Sequence, residues 1–317
     1  MSRQSWKVGS AVFVPKGQRG ATYMDIGQSG TRVEDADGVR HTFPEHMRPH
    51  AVATEVVTSV LERLPRHSSN ALLISLSGLR GRVPDVTPFV EACLPFTDCE
   101  LVGVCDDGLA WNLGLLSNQP GVTVAAGGGV VVVAHNNSKF VHLDGNGPDF
   151  GDSGGAFWLG REGIRAALRA FEGCERPTAL SADAINGLGA LETLAHAHLT
   201  PEEYHGACIG FAIKVLQAAE AGDLLAKEIA ILGSEKIAMT ALAAMRQSEL
   251  GPANVSVALA GGLMKSELYS RLVRQRILDS NSEVQFISST GDAIAGLKQL
   301  YSSQNRESSE LIRWWIK

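Results

Sequence analysis

Tyr23-Met-Asp-Ile-Gly-Gln-Ser-Gly-Thr-Arg32 is an acidic, glycine-rich turn that joins one short predicted strand to the next. Its two glycines allow backbone N–H groups to approach an anion closely, and its serine and threonine add hydroxyl donors. Asp25 is placed to hold a cation that bridges phosphates. Taken alone, the turn fits a plain hairpin at least as well, because glycine-rich strand connections are common.

Four further segments follow this turn in a particular order. They are Cys105-Asp-Asp-Gly108, Ala125-Ala-Gly-Gly-Gly129, Gly151-Asp-Ser-Gly-Gly-Ala-Phe-Trp-Leu-Gly160 and Leu259-Ala-Gly-Gly-Leu263. The ordered set resembles the actin, hexokinase and heat-shock chaperone ATPase superfamily. Within that superfamily it resembles the N-acetylglucosamine kinase and BadF/BadG/BcrA/BcrD ATPase family, over roughly residues 21 to 302.

The resemblance implies an α/β protein with the two-lobed ribonuclease-H-like ATPase fold, the actin-like fold, and a nucleotide in the cleft between the lobes. The chain has 317 residues, more than a single hydrophobic core usually covers, and this length agrees with two lobes. The predicted parts are an N-terminal extension (1–20), an N-terminal α/β lobe (21–117), a helix-rich C-terminal α/β lobe (118–290), and a C-terminal helix and tail (291–317) that pack back on the first lobe.

Apolar periodicity predicts the main elements. Strands are expected over 72–76, 101–104, 122–126, 130–134, 255–260 and 284–287, besides those that flank the first turn. Helices are expected over 51–64, 86–94, 154–171, 181–198, 201–249, 266–278 and 291–301, with breaks in the longest near 221–223 and near Gly233. The segment 312–316 is interpreted as a packed tail.

Composition excludes several classes of function. The formal net charge is −6 and the basic residues are scattered, so no nucleic-acid partner is expected. The apolar runs are too short to span a bilayer and the N-terminus lacks an apolar signal core, so we expect a cytoplasmic protein without a membrane partner. Five cysteines without a Cys-x-x-Cys pair indicate reduced, structural thiols.

Asp106 and Asp107 stand where an apolar strand ends and a helix begins, a position at which catalytic side chains collect. One of them could instead cap the helix by accepting its free N–H groups. The family has Asn-Asp at this place, so the resemblance assigns Asp107 as the catalytic base toward a sugar hydroxyl.

The resemblance also assigns ligand contacts. Phosphate would be bound by Gly27, Ser29, Gly30, Thr31, Gly127, Gly128 and Gly129, adenosine by Ala260, Gly261 and Gly262, and a metal ion by Asp25. In the second phosphate loop this chain has glycines where the family has two hydroxyl residues. Fewer donors therefore face the phosphate. A plain hairpin at 127–129 and simple strand-to-helix packing at 260–262 are the alternatives.

The sugar would be bound by Ser77, Gly78, Asp107, Gly145, Asn146 and Asp152. Here Asn146 replaces a tryptophan and Ser153 a glutamate of the family. Gly151-Asp-Ser-Gly-Gly155 is also the nucleophile signature of chymotrypsin-like proteases. That mechanism needs a histidine and a second acid far upstream on an all-β scaffold, and His135 lies only 18 residues before Ser153. The protease interpretation is therefore rejected.

The function implied is an ATP-dependent kinase that phosphorylates a hydroxyl of an amino sugar such as N-acetylglucosamine or glucosamine, with ATP and Mg²⁺ as cofactors and a small-molecule sugar as partner. Two alternatives stay open. One is a non-catalytic nucleotide or sugar sensor, and the other is a BadF-type ATPase with a cysteine-bound iron–sulfur cluster. A homodimer is compatible with each of them.

Overall fold

The computed structural model describes residues 20–28, 30–47, 51–64, 69–79, 81–117, 119–136, 139–190, 199–288, 291–303 and 311–317. The expected N-terminal extension lies outside these residues, apart from Gly20, and so does Ser29. The chain forms two compact units. Unit 1 comprises Met1–Gly121, Ala134–His142 and Ser288–Lys317, and unit 2 comprises Val122–Val133 and Leu143–Ile287. The described residues of 134–142, a range that the expected second lobe includes, are part of unit 1.

Unit 1 is built on a six-stranded sheet. Its strands are β1 (Ala21–Ile26), β2 (Thr31–Glu34), β3 (Arg40–Phe43), β4 (Ala71–Leu76), β5 (Leu101–Asp106) and, at the C-terminus, β11 (Ile312–Ile316), in the order β11-β5-β4-β1-β2-β3. Its helices are α1 (Ala53–Arg63), α2 (Thr87–Cys93), α3 (Asp107–Leu116) and α9 (Ala293–Ser302). Strands β1, β4 and β5 are parallel, and β2, β3 and β11 add antiparallel edges.

The three parallel strands are buried along their whole length because helices cover both faces of the sheet. Successive side chains of a strand point to opposite faces. Met24, for example, joins the core beneath α1 and α2, whereas Tyr23 joins the core beneath α3 and α9. The carboxyl ends of β1, β4 and β5 therefore lie next to one another in fixed positions.

Helices α3 and α9 cross at a pair of glycines. A Cβ on Gly296 would lie 2.7 Å from the carbonyl carbon of Ala110, and one on Gly114 would lie 2.9 Å from the carbonyl carbon of Asp292. Real Cβ atoms do not approach backbone so closely, so the backbones meet only because both positions lack a side chain. This crossing fixes α3, whose first turn carries Asp107.

Unit 2 contains most of a five-stranded sheet and a layer of long helices. The strands are β6 (Gly121–Ala126), β7 (Val130–His135), β8 (Phe140–Asp144), β9 (Ser256–Ala260) and β10 (Gln285–Ile287), in the order β10-β9-β6-β7-β8. The helices are α4 (Ala156–Phe171), α5 (Leu180–Leu188), α6 (Pro201–Glu220), α7 (Leu224–Gln247) and α8 (Glu267–Ser280). No helix in the described part of the chain combines the length and the hydropathy that crossing a bilayer requires.

The break expected near Gly233 is wrong, because α7 runs unbroken through it. A Cβ on Gly233 would lie 2.6 Å from the hydroxyl of Tyr269 and 3.2 Å from the ring of Trp158. The glycine therefore serves the close packing of α4 and α8 against α7 rather than the end of a helix. The break expected near 221–223 is confirmed, and there Asp223 caps α7 by accepting from the N–H of Ala226.

Three other elements differ from expectation. Strand β8 was not predicted, and the C-terminal segment is a strand, β11, paired with β5 in the sheet. Helix α5 ends at Leu188, before Gly189 with a φ of 93°, inside the range 181–198 that was expected to form one helix. The remainder of that expected helix, 191–198, lies outside the described residues.

Two Gly→Ala substitutions in helices, one at the crossing of α3 and α9 and one on α6, are expected to change stability in opposite directions. Gly296→Ala is expected to destabilise the protein by about 1–3 kcal/mol, because the added methyl must push two helix backbones apart. Gly206→Ala, on the open side of α6 where nothing lies within 4 Å, is expected to stabilise it by about 0.5–1 kcal/mol. Urea unfolding of both variants measures the two signs, and a neutral Gly296→Ala would contradict the described crossing.

Candidate active site

The register of the parallel strands brings polar residues of unit 1 together. Asp25 of β1 pairs with Ser75 of β4, and Leu76 of β4 pairs with Asp106 of β5. Parallel strands place their carboxyl ends at one edge of a sheet, where binding sites of α/β proteins usually form. The acidic turn after β1, the Ser77-Gly78 turn after β4 and the aspartate pair at the junction of β5 and α3 therefore share that edge.

Asp106 is the N-cap of α3. Its Oδ1 accepts a hydrogen bond from the N–H of Gly108 at 2.9 Å, and its Oδ2 accepts one from the N–H of Gly81 at 2.9 Å. The side chain is 1% exposed. Of the two aspartates considered from sequence, this one caps the helix, which leaves Asp107 for other chemistry.

Asp107 is the first residue of α3, and its carboxylate accepts a hydrogen bond from the hydroxyl of Ser77. The residue keeps part of its surface exposed, although its carboxyl is enclosed by protein. Burial raises the pKa of this carboxyl well above its usual range, and the neighbouring carboxylates of Asp106 and Asp25 raise it further. Asp107 therefore holds a proton more strongly than a surface aspartate does.

Asp25 is 1% exposed and fully engaged in the structure. Its Oδ1 accepts from the hydroxyl of Ser75 at 2.6 Å, and its Oδ2 accepts from the guanidinium of Arg32, the residue opposite it on β2. Burial raises the pKa of Asp25, and Arg32 and Ser75 offset part of that rise. The Arg32 guanidinium also lies 4.9 Å from the ring centroid of Trp111 on α3.

The first glycine-rich turn closes on itself. The N–H of Gly27 donates to the carbonyl of Gly30 at 3.0 Å. Thr31 is fully buried, and its hydroxyl donates to the carbonyl of Glu45 at 2.6 Å. We expected that hydroxyl to face a phosphate, but the structure gives it an acceptor within unit 1. The other expected hydroxyl, that of Ser29, lies outside the described residues.

In unit 2, the tight hairpin at 127–129 connects β6 to β7 as expected, with the N–H of Gly127 donating to the carbonyl of Gly129 at 2.9 Å. The start of α4 packs on this hairpin. The N–H of Ala156 donates to the carbonyl of Gly127 at 2.9 Å, and that of Phe157 donates to the carbonyl of Gly128 at 3.1 Å. The first N–H groups of α4 thus bind the carbonyls of Gly127 and Gly128.

The loop after β8 brings Asp152 to the same hairpin. Asp152 has a left-handed backbone with a φ of 58°, and its N–H donates to Asp144 Oδ1 at 2.6 Å. A Cβ on Gly129 would lie 2.6 Å from the carboxyl carbon of Asp152. The Asp152 carboxylate therefore fills the space that a hydroxyl side chain at 129 would need. Gly145 lies close by, since its N–H donates to the carbonyl of Val130 at 2.8 Å.

The segment 260–262 follows β9 and lies against the same part of unit 2. A Cβ on Gly261 would lie 2.6 Å from the carbonyl carbon of Ala126, so this glycine allows close packing of backbones. Gly262 is exposed and has nothing within 4 Å of its Cβ position. Of these two glycines, only Gly262 thus has open space on its Cβ side.

The sequence profile that describes the BadF/BadG/BcrA/BcrD ATPase family matches residues 98–296, more than half of the chain. The chain belongs to the BadF/BadG/BcrA/BcrD ATPase family. No match to a curated protein was found.

Solved structures share the fold of this family member. A candidate N-acetylglucosamine kinase from Chromobacterium violaceum is 21% identical with a TM-score of 0.64, and one from Porphyromonas gingivalis is 16% identical with a TM-score of 0.66. In each case the match covers 89% of this chain and 98% of the other. A ROK family glucokinase from Streptomyces griseus, in complex with glucose and AMPPNP, is 16% identical with a TM-score of 0.51 and covers 87% of this chain and 96% of its own. The fold is therefore the two-lobed α/β fold of actin-like sugar kinases.

The structure adds four residues to the candidate site that were not selected from the sequence of this ATPase family member. They are Arg32, Ser75, Gly81 and His142. Ser75 is the one polar residue of β4, a signal that was readable in an otherwise apolar run. The roles of Gly81 and His142 arise only because distant segments meet at Asp106.

Because Asp152 packs on Gly129, hydroxyl residues introduced at positions 127 and 129 of the second phosphate loop are expected to affect stability differently. Gly127→Thr is expected to fold normally, because nothing lies within 4 Å of its Cβ position. Gly129→Ser is expected to lower stability by about 1–3 kcal/mol and to displace Asp152. Thermal unfolding and ATP titration calorimetry of both variants test this. Equal stability of Gly129→Ser and the parent chain would show that Asp152 does not occupy that space.

Proposed function

We propose that this chain is an ATP-dependent kinase that transfers the γ-phosphoryl group to a hydroxyl of an amino sugar of the N-acetylglucosamine or glucosamine type. The observation that carries the proposal is the Asp107 carboxyl, which stands at the first turn of α3, accepts from Ser77 and has a raised pKa. The family match and the sugar-kinase fold support it.

In the proposed reaction, the sugar hydroxyl oxygen attacks the γ-phosphorus, the bond from that phosphorus to the β–γ bridging oxygen breaks, and ADP leaves. Asp107 aligns the hydroxyl and accepts its proton. Phosphoryl transfer requires mainly an aligned nucleophile and neutralised charge, so a carboxylate with a raised pKa is sufficient as base. Ser77 holds that carboxylate in place, and Gly78 leaves open backbone beside it for the sugar.

The remaining expected contacts belong to the same proposal. We assign phosphate binding to the backbone of Gly27, Gly30, Gly127, Gly128 and Gly129, with Ser29 as an assignment outside the described residues. Thr31 would contribute through its N–H, since its hydroxyl already has an acceptor. Ala260, Gly261 and Gly262 would line the adenosine, and Gly145, Asn146 and Asp152 would bind sugar hydroxyls.

Asp25 is the proposed metal residue. Mg²⁺ in phosphoryl-transfer enzymes is usually held by one or two carboxylates, together with substrate phosphates and water. A single buried carboxylate at the phosphate turn fits that ligand set, provided that Arg32 moves off Oδ2. The Arg32 side chain is 44% exposed, so it is free to turn toward solvent or phosphate. A metal bound there would neutralise charge on the phosphates.

A non-catalytic sensor is the second proposal, favoured by one observation. The second phosphate loop has no side-chain hydroxyl, and the negative Asp152 carboxylate lies against it. Donors that face the transferring phosphoryl group are worth about 2.7–4 kcal/mol each when well aimed, so their loss would slow transfer. A sensor would bind ATP or amino sugars in calorimetry, yet release no ADP with any sugar of a panel.

Replacement of Asp107 by Asn is expected to lower kcat by about 10²–10⁴-fold with little loss of ATP binding, because the proton acceptor is removed while the shape is kept. ADP release with amino sugars measures kcat, and calorimetry measures ATP binding. Near-normal turnover in Asp107→Asn would remove Asp107 from the mechanism.

The same substitution is expected to stabilise the fold above about pH 4. The pKa of Asp107 is raised above its unfolded value of about 3.9, so the native chain loses stability as pH rises from about 4 through the folded pKa. Asn does not ionise, so the gain should vanish below about pH 4. Glu91→Gln, at an exposed position of α2, is the control expected to change neither turnover nor stability.

Asp25→Asn tests the metal assignment. It keeps the shape of the side chain but removes the charge, so the Mg²⁺-dependent part of ATP affinity is expected to fall by at least about 10-fold. ATP binding without Mg²⁺ should be unchanged or tighter, since Arg32 is released. Calorimetry with and without Mg²⁺ measures both, and Asp35→Asn, in the turn between β2 and β3, is the control. An unchanged Mg²⁺ dependence would contradict the assignment.

A further inference from the structure

Asp106 is held from three directions. Two are the backbone N–H groups of Gly108 and Gly81 described above. The third is His142 on β8, whose Nε2 lies 3.5 Å from Asp106 Oδ1 and whose side chain is only 10% exposed. This imidazole is therefore enclosed with the carboxylate rather than lying on the surface.

The place of His142 is defined by Gly81 as well. Gly81 has a φ of 73°, and its Cβ position lies 3.5 Å from both Cβ and Cγ of His142. The imidazole thus lies against the same short segment whose N–H donates to Asp106 Oδ2. His142 is also the last residue of unit 1 in that part of the chain, and Gly145 follows three residues later.

The direction of Asp107 depends on Asp106. The two residues are adjacent at the junction of β5 and α3, and Asp106 is the cap that fixes where the helix begins. A rotation of the Asp106 carboxylate would release the N–H of Gly108 and loosen the first turn, in which Asp107 lies. Groups that hold Asp106 therefore also hold Asp107.

Each of the three aspartates Asp25, Asp106 and Asp107 faces a polar partner from another element. Asp25 on β1 faces Arg32 on β2, while Asp106 on β5 faces His142 on β8, and Asp107 on α3 faces the hydroxyl of Ser77. The carboxylate of Asp106 is among the causes that raise the pKa of Asp107. His142 is thus placed beside the carboxylate that influences Asp107.

We propose that His142 is a positioning residue, whose imidazole fixes the Asp106 carboxylate and thereby the orientation of Asp107. The role in turnover rests on the proposed kinase function. The structural coupling of His142 to Asp106 and Asp107 does not.

The kinetic test uses His142→Ala, His142→Gln, Asp106→Asn and the double variant Asp106→Asn/His142→Ala. His142→Ala is expected to lower kcat about 10-fold, with KM for ATP changed by less than about twofold. His142→Gln should recover most of the loss, because its amide N–H can reach Asp106. The double variant should be no slower than Asp106→Asn alone, since both changes act on one contact. Strictly additive losses, or a loss in KM alone, would overturn the proposal.

A second measurement does not require turnover. In ¹H–¹⁵N spectra of the full chain, His142→Ala is expected to shift the amide resonances of Gly81, Asp107 and Gly108, and His142→Gln to shift them much less. His41→Ala is the matched control. It removes another His–Asp pair, His41 Nε2 to Asp35 Oδ2 at 2.7 Å, on β3 at the far edge of the sheet from β5 and β11.

The control should leave the resonances of Gly81, Asp107 and Gly108 in place. If His142→Ala also leaves them in place, the positioning role is wrong, whatever the enzyme does. If they move as expected while no sugar is phosphorylated by the parent chain, the kinase assignment fails and the coupling stands.

Discussion

The burial of three carboxylates near the carboxyl ends of three parallel strands is the constraint on which the rest of unit 1 depends. An ionised carboxylate without partners is too costly to bury, so each of the three must be supplied with donors. Asp25 accepts hydrogen bonds from Ser75 and Arg32, and Asp106 accepts two from backbone N–H groups and lies beside His142. Asp107 is the least compensated of the three. Its raised pKa is the consequence, and that shift agrees with the proposed role of Asp107 as a proton acceptor.

The main constraint in unit 2 is different: a helix, α4, packs on a tight glycine hairpin. The first N–H groups of α4 bind the carbonyls of the hairpin, which orders the loop without any side chain. Asp152 then occupies the space beside Gly129, so the loss of a hydroxyl there and the position of the carboxylate are one arrangement. In the proposed kinase, Asp152, which we assign to sugar binding, thus limits the number of hydroxyl donors that the loop can direct at the phosphate.

Periodicity predicted most elements of the fold because the buried strands and the amphipathic helices have strong patterns. Strand β4 and helix α4 lie where the sequence places them, within two residues at their ends. The expected break at Gly233 failed for a physical reason. A glycine inside a helical pattern indicates either a break or a close contact, and only the neighbours, here Trp158 and Tyr269, distinguish the two. Strand β11 was missed because its partner, β5, lies some two hundred residues earlier in the sequence.

The sequence by itself determined which residues could carry the chemistry: a glycine-rich turn with Asp25, an aspartate pair after an apolar strand, and a glycine hairpin before a helix. These are local patterns, and backbone geometry follows from them over a few residues. Only the tertiary structure decided that Asp106 caps α3, that Asp107 accepts from Ser77, that Arg32 contacts Asp25, and that His142 lies beside Asp106. Those outcomes depend on strand register and on contacts between segments far apart in the chain, which the spacing of residues in a sequence does not contain.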